Sequence, residues 1–129
     1  MPMSTYMRGK SVDHAFRNIA WTPPATVYVA LHTSDPTIAG TPATEVSGAW
    51  YARQPIAFAA QTTAGQTSNS ATVTFPAVTG SGVTVTHFSL WDAATLGNML
   101  AFSPLSASKT YSISDVPSWL AGTLSITGT

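Results

Sequence analysis

The segment VTVTHFSLWDA (residues 83–93) alternates its side chains between two faces, and this period of two constrains the fold more than any other feature. One face is predicted to carry Val83, Val85, His87, Ser89 and Trp91. Residues 26–33 form a second run of β-branched and apolar side chains, with prolines on both sides. Only 8% of the chain is charged, whereas average domains contain about 25%. Ser and Thr fill the polar positions, and the sequence therefore predicts a mainly β protein.

Turn-forming residues separate the remaining apolar segments at intervals of about ten residues. The predicted strands are 26–33, 51–60, 71–76, 83–93, 99–105, 109–113 and 123–127, and segments 61–68 and 115–122 are predicted to be loops. This pattern predicts an antiparallel β-sandwich of about seven strands, either jelly-roll or immunoglobulin-like. No linker divides the chain, so residues 1–129 are expected to form one domain.

One helix is predicted near the N-terminus, within residues 4–20. Its apolar residues recur at helical spacing and would form one face: Val12, Ala15, Phe16 and Ile19. Ser4 or Ser11 can cap it. Because Gly9 weakens a helix interior, the helix is expected to begin near Ser11 and to be preceded by an arm of residues 1–10. The prolines of WTPP (residues 21–24) end it.

The charge and the residue composition argue against several classes of partner. Formal net charge is zero, and the five Lys and Arg residues are scattered, whereas a nucleic-acid binder needs a basic patch. The longest apolar run is far shorter than the ~18 residues of a membrane span. The chain contains no cysteine, which excludes disulfides and thiol catalysis. Neither a nucleic-acid nor a membrane partner is therefore expected.

No catalytic constellation emerges from the sequence, so the protein is predicted not to be an enzyme. The G-x-S-x-G motif of serine hydrolases is absent. The three histidines lack a neighbouring ligand at metal-binding spacing: His14, His32 and His87. The acidic residues are widely separated, and most lie at predicted turns: Asp13, Asp35, Glu45, Asp92 and Asp115. No catalytic residue, metal or cofactor is expected.

The stretch EVSGAWYARQPIAF (residues 45–58) contains two of the ten charged residues beside two adjacent aromatics. One interpretation is structural: Glu45 and Arg53 pair across the turn at Gly48 and set the strand register, while Trp50 or Tyr51 packs on the sheet end. As an exposed ion pair, this contact is expected to be worth about 0–1 kcal/mol. The other interpretation makes Trp50, Tyr51 and Arg53 a contact patch for a neighbouring subunit.

Four tryptophans in a chain of this size raise the possibility of a carbohydrate-stacking platform: Trp21, Trp50, Trp91 and Trp119. Such a platform requires at least two indole rings exposed on one face. The alternative is that Trp91 lies in the core and that the other three cover sheet ends or lie in subunit contacts, where tryptophan is enriched.

Several segments together resemble a family of small structural proteins of tailed bacteriophages, often described as tail-fibre or minor tail proteins. The resemblance is carried in order by VYVALHTSDP, EVSGAWYARQPIAF, the N-S-A-x-V-x-F-P of residues 69–76, VTHFSLWDAATLGNMLAFSPLSASKT and AGTLSIT. It covers nearly the whole chain and includes no catalytic motif. No heptad or glycine-rich shaft of the kind expected in a long fibre accompanies these segments.

The resemblance implies a virion component, assembled in the host cytoplasm, that works by contact with other tail or capsid proteins and with itself as a homo-oligomer. Alternatives are a capsid decoration protein that stabilises the head and a module that binds host-surface glycans. The arm 1–10 and the helix 11–20 are the segments expected to dock onto other subunits. The candidate contact residues are Val12, Phe16, Trp21, Trp50, Tyr51, Arg53 and Trp119.

Overall fold

The computed structural model describes residues 2–127. The predicted domain covers residues 1–129, so its terminal residues Met1, Gly128 and Thr129 lie outside the described residues. The chain is mainly β, with 36% strand and 12% helix, as predicted. Its elements are helix α1 (Thr5–Phe16), strand β1 (Val27–His32), a short 3-10 helix (Pro42–Thr44), and strands β2 (Gln54–Ile56), β3 (Gln66–Ser68), β4 (Val73–Thr74), β5 (Val83–Trp91), β6 (Met99–Tyr111), β7 (Ser118–Trp119) and β8 (Ser125–Thr127).

The strand pairs are antiparallel, as predicted, but the strand count and the sheet plan differ from the prediction. Among the described residues there are eight strands, not seven. Predicted strands 99–105 and 109–113 belong to one continuous strand, β6. Strands β3 and β7 lie in segments predicted to be loops. The strands form one four-stranded sheet, in the order β2-β1-β5-β6, and the two-stranded sheets β3-β8 and β4-β7; the closed sandwich remains a prediction.

Helix α1 begins at Thr5, so the predicted start near Ser11 is wrong. The Oγ of Ser4 accepts a hydrogen bond from the Met7 backbone N–H at 3.1 Å, which caps the first turn. The cost of Gly9 within the helix is only about 1 kcal/mol, and the cap together with tertiary contacts offsets it.

The apolar face predicted for the helix points to solvent rather than to the core. Phe16 is 84% exposed, and Val12 and Ile19 are also exposed. The helix instead packs through its first turns, where Tyr6 and Met7 contact the main core. Strand β6 is the element that it contacts.

The pairing of β5 with β6 is irregular near His87, and the side chains of β5 that face the main core change there. The β5–β6 register shifts between Val85 and His87. Consequently Val85 lies in the main core before this irregularity, whereas Phe88 and Leu90 lie there after it. The prediction that Ser89 and Trp91 share a face with Val85 is therefore wrong, because the alternation of side chains along β5 shifts at this irregularity.

The two short sheets contribute residues to the same main core as the four-stranded sheet. Val73 of β4, Trp119 of β7 and the loop residues Phe75 and Leu124 share one core cluster with Val29 and Leu31 of β1. Phe75 is 1% exposed, and its ring packs edge-on to that of Trp119 with centroids 5.9 Å apart.

The side chain of Asn69 connects these short sheets. Its amide nitrogen donates hydrogen bonds to the carbonyls of Ala71 at 2.9 Å and Leu120 at 3.0 Å. Its Oδ1 accepts a hydrogen bond from the backbone N–H of Leu124 at 3.0 Å. One buried amide thereby joins the start of the β3–β4 connection to the segment that leads into β8.

Two phenylalanines provide a matched test of this core. Phe75→Ala is expected to lower the free energy of unfolding by about 3–5 kcal/mol, because it leaves a cavity between the sheets. Phe16→Ala removes the same atoms from an exposed position and is expected to change it by less than about 0.5 kcal/mol. Urea unfolding followed by tryptophan fluorescence measures both, and equal losses would contradict this description of the core.

Candidate functional site

The outer edge of β1 changes its partner halfway along the strand. Residues 27–29 pair with β2, whereas residues 31–33 pair with residues 44–46, through the Val46 N–H to the Leu31 carbonyl at 2.9 Å and the Thr33 N–H to the Thr44 carbonyl at 3.0 Å. The chain leaves this edge at residue 47 and returns at residue 54. We call residues 47–53 the edge loop.

The partner change leaves one buried backbone group to be satisfied by a side chain. The hydroxyl oxygen of Tyr51 accepts a hydrogen bond from the Leu31 N–H at 3.1 Å, and its proton is donated to Oε2 of Glu45 at 2.6 Å. Because an unpaired buried N–H is costly, this phenol is a structural part of the sheet edge. The Tyr51 ring also stacks on that of Phe75.

Arg53, the last residue of the edge loop, forms an ion pair with Glu45, as the sequence predicts. This pair closes the base of the loop. The guanidinium donates from Nε to Oε2 and from Nη2 to Oε1, each at 2.8 Å, so the contact is bidentate. The side chains are only 5% and 14% exposed for Arg53 and Glu45. The predicted pairing is confirmed, but the prediction that the pair is exposed is wrong.

The charges of this site are set by their neighbours. Burial opposes the ionisation of Glu45, but hydrogen bonds from Arg53 and Tyr51 outweigh it and lower the pKa of Glu45 below its ordinary value. Burial, aided by the hydrogen bond to Glu45, raises the pKa of Tyr51. The site therefore holds a carboxylate, a guanidinium and a neutral phenol at neutral pH.

Arg53 also holds the hairpin loop between β5 and β6, residues 92–98. Its Nη1 donates to the carbonyls of Ala93 at 3.0 Å and Leu96 at 2.8 Å. Its guanidinium carbon lies 4.0 Å from the ring centroid of Trp91, a cation–π distance. Within the loop, the Asn98 N–H donates to Oδ1 of Asp92 at 2.7 Å. The hairpin loop is thus held both by a hydrogen bond within the loop and by hydrogen bonds from Arg53.

The fixed hairpin loop exposes a large apolar side chain at its tip. Leu96 is 86% exposed, and its backbone adopts φ 55°, an uncommon value for a leucine. Beside it lies an open cleft of about 380 Å³ that the edge loop and the hairpin loop line together. Sequence reasoning missed Leu96; the available indication was a large aliphatic residue within the turn sequence LGN.

On the other side of β1, His32 lies in a directional chain of hydrogen bonds. The Trp91 indole N–H donates to Oγ of Ser89 at 2.6 Å, and Ser89 contacts Nε2 of His32 at 2.6 Å. Nδ1 of His32 contacts Oγ1 of Thr44 at 2.8 Å, and that hydroxyl donates to the Thr41 carbonyl at 3.2 Å. The chain is satisfied when Ser89 donates to Nε2 and a neutral imidazole donates from Nδ1.

Burial lowers the pKa of His32 from 6.5 to about 4, in agreement with this neutral tautomer. The His32 side chain is fully buried. Throughout residues 2–127, every buried side-chain nitrogen or oxygen of a non-exposed residue has a hydrogen-bond partner. The polar side chains of this site hydrogen-bond to one another and to the backbone.

The structure places the predicted contact residues in three settings. Val12 and Phe16 are exposed on α1, and Trp21 and Tyr51 are half-buried. Trp50, Arg53 and Trp119 are buried within the protomer. Because Trp91 is buried as well, three of the four indoles are inaccessible, and two exposed rings on one face, which a sugar-stacking platform requires, are not present.

Within residues 2–127, no group of three or more His, Asp or Glu side chains is arranged to hold a metal ion. No helix in this part of the chain is both long and apolar enough to cross a membrane.

Comparison with known proteins identified one family model, described as podophage GP4 fiber I protein gp80, which matches residues 2–127. No curated protein matches the chain. The match spans every element of the fold, from the N-terminal arm to β8, and agrees with the resemblance to phage tail-fibre proteins found in the sequence.

Two ion pairs allow a matched test of the edge-loop base. Glu45→Gln leaves the Arg53 charge buried without its counterion and is expected to cost about 3–5 kcal/mol of unfolding free energy. Asp13→Asn removes the partner of Arg17, an ion pair on the exposed surface of α1, and is expected to cost less than about 1 kcal/mol. Chemical unfolding at neutral pH measures both, and a small effect of Glu45→Gln would contradict the structural role of the pair.

The buried imidazole predicts a pH dependence of stability. Because the pKa of His32 is lowered in the folded state, the stabilisation is complete above the ordinary pKa of 6.5 and is lost as the pH falls from 6.5 to about 4. Between about pH 7.5 and about pH 5, this group is expected to remove about 2 kcal/mol of stability.

The variant His32→Gln is expected to abolish that share of the pH dependence, whatever its stability at neutral pH. His14→Gln, at an exposed site, is the control and should leave the dependence unchanged. Urea unfolding at the two pH values gives the difference for each protein. A pH dependence that is equal in wild type and His32→Gln would show that His32 is not the group responsible.

Proposed function

Since the chain belongs to the podophage GP4 fiber I protein gp80 family, we propose that it is a non-enzymatic structural protein of the phage tail fibre. It works through contacts with other virion proteins and with copies of itself. The supporting observation is the apolar face of α1, which the protomer itself leaves uncovered.

The outward face of α1 has the composition of a contact surface rather than of a solvated helix. Within the helix, Val12 is 50% and Phe16 84% exposed, and Ile19, three residues beyond its end, is 41% exposed. The helix contributes no fully buried residue to its own protomer. Scattered exposed apolar residues are normal, but a contiguous patch marks an interaction site. The chain also has zero net charge, which leaves little repulsion between copies.

The hairpin loop supplies a second preorganised element. Leu96 projects from a backbone that Arg53 and Asp92 already hold in place. A rigid apolar tip loses little conformational entropy when a partner covers it, and this favours binding. The cleft beside Leu96 offers room for a side chain of a neighbouring subunit.

The ionisable groups at the centre of the molecule support a structural role rather than catalysis. Glu45, Tyr51 and Arg53 hydrogen-bond to one another and to the backbone. A catalytic acid or base must reach a substrate and titrate near the working pH. The pKa shifts at Glu45 and Tyr51 move both groups away from neutrality instead.

A matched pair of valines tests the helix face. Val12 and Val116 are equally exposed, at 50% each. Val12→Ser combined with Phe16→Ser is expected to lower the amount of protein in purified particles at least about tenfold, the loss expected when a central contact of about 1.4 kcal/mol or more is removed. Val116→Ser should have no such effect. Equal incorporation of both variants, with unchanged folding by circular dichroism, would count against the helix face.

The position in the particle is tested by quantitative mass spectrometry of purified phage. A copy number that matches the few fibres of one tail is expected. A number comparable to that of the major capsid protein would favour the capsid decoration alternative, and absence from the particle would refute a virion role.

A further inference from the structure

The N-terminal segment attaches to β6 as a short additional strand. The Phe102 N–H donates to the Pro2 carbonyl at 3.2 Å, and the Ser4 N–H donates to the Leu100 carbonyl at 2.9 Å. Met3 lies opposite Ala101 in an antiparallel bridge between these two bonds. This strand occupies the outer edge of β6 only at residues 100–102.

Side-chain contacts reinforce this attachment within a few residues. The Ser4 hydroxyl is buried and donates to the Met99 carbonyl. The Thr5 N–H donates to the Ile38 carbonyl at 2.9 Å, and Tyr6 and Met7 pack on the main core. All the contacts that anchor the segment come from residues 2–7, and they fit one receiving surface formed by the start of β6 and the loop that contains Ile38.

The chain that follows has little attachment to the protomer. No residue of 8–26 belongs to either core cluster or packs against the main one. Residues 17–26 form neither helix nor strand, and they include Asn18 at φ 55° and the consecutive prolines 23 and 24. Ten residues of extended chain can span up to about 33 Å. The segment 2–16 is therefore a separate docking unit, joined to β1 by ten residues without regular secondary structure.

Charge is distributed unequally between this unit and the body of the chain. The residues up to Arg17 carry three cations and one anion: Arg8, Lys10, Arg17 and Asp13. The remaining residues carry two cations, Arg53 and Lys109, and four anions, Asp35, Glu45, Asp92 and Asp115. In a chain with only ten charged residues, residues 2–17 thus carry a net charge of +2, of which the docking unit itself contributes +1, and the body carries a net charge of −2. These opposite net charges favour contact between the docking unit and the body, whether of the same copy or of another.

We propose that, in the assembled fibre, residues 2–16 of one copy dock on β6 of a neighbouring copy. There they make the same contacts that they make with β6 of their own chain in this structure. The proposal rests on the proposed function, because it names the partner of the α1 face. Exchange of an identical element preserves each of its contacts, so it costs little free energy. It also places the uncovered Val12 and Phe16 near the junction between copies.

A disulfide trap can distinguish docking within a chain from docking between chains. Met3 and Ala101 form a non-hydrogen-bonded antiparallel pair, in which the Cα atoms are about 4.5 Å apart, a separation that a disulfide spans. The natural chain has no cysteine, so Met3→Cys and Ala101→Cys introduce the only thiols. The two single variants, one of them affinity-tagged, are supplied together to a phage that lacks its own copy of the gene.

Oxidised particles are then analysed on non-reducing gels. Exchange predicts a covalent heterodimer of the tagged and untagged chains, several-fold more abundant than in a control that pairs Met3→Cys with Ala107→Cys. Ala107 is exposed on β6, away from the bridge. If both variants enter the particle and no heterodimer forms, the exchange is wrong and the fibre role remains. If the wild-type chain is absent from particles, the proposed function itself fails.

A second measurement needs no cysteine substitution, and it decides the matter if either variant does not fold. Chains containing photo-methionine, half of them labelled with ¹⁵N, are assembled into particles and illuminated. Exchange predicts cross-links from Met3 to residues 99–102 that join heavy and light peptides in about half of the cases, as random mixing requires. Cross-links only between peptides of the same isotope would overturn the proposal.

Discussion

The buried guanidinium of Arg53 is the interaction on which the central part of the structure depends. It joins three segments that are distant in sequence: the β1 edge through Glu45, the edge loop that it ends, and the hairpin loop through the carbonyls of Ala93 and Leu96. A lysine could not replace it, because a bidentate contact, two carbonyl contacts and a stacking face require the planar fork of arginine. Desolvation of the charge is costly, but its hydrogen bonds and the ring of Trp91 compensate. These contacts hold the edge loop and the hairpin loop in fixed positions beside each other.

The parts of the fold that follow from local physics were predictable from the sequence. Strands β1 and β5 are long and strongly patterned, and the pairing of Glu45 with Arg53 follows from opposite charges across a turn. Strands β3 and β7 have three and two residues, which is too short to show a period. The start of α1 was predicted wrongly because the cost of Gly9 was given more weight than the cap at Ser4. A hydrogen bond from Ser4 to a carbonyl 95 positions away also holds this cap in place, and the sequence does not show that contact.

Burial at the candidate site was harder to predict than its chemistry. Trp50, Tyr51 and Arg53 fit either a core or a subunit contact by composition, since interfaces and interiors both use aromatic residues and arginine. The change of pairing partner along β1 determines which of these applies. It draws the edge loop inward, where the Tyr51 hydroxyl accepts a hydrogen bond from the Leu31 N–H. The exposure of Val12 and Phe16 likewise depends on which helical turn meets β6. An amphipathic pattern identifies an apolar face, but it does not say which molecule covers that face.

The three hydrogen bonds of the Asn69 side chain affect how readily this residue undergoes deamidation. Deamidation of an asparagine begins when the next backbone nitrogen attacks the side-chain amide carbon. Here the Ser70 N–H is engaged with the Ala57 carbonyl at 2.9 Å, and the amide itself is held on both sides. The reaction would also convert a donor into an acceptor facing two carbonyl oxygens. The folded chain therefore protects this residue, and the lifetime of the intact amide depends on how often the short sheets open rather than on the intrinsic reactivity of Asn-Ser.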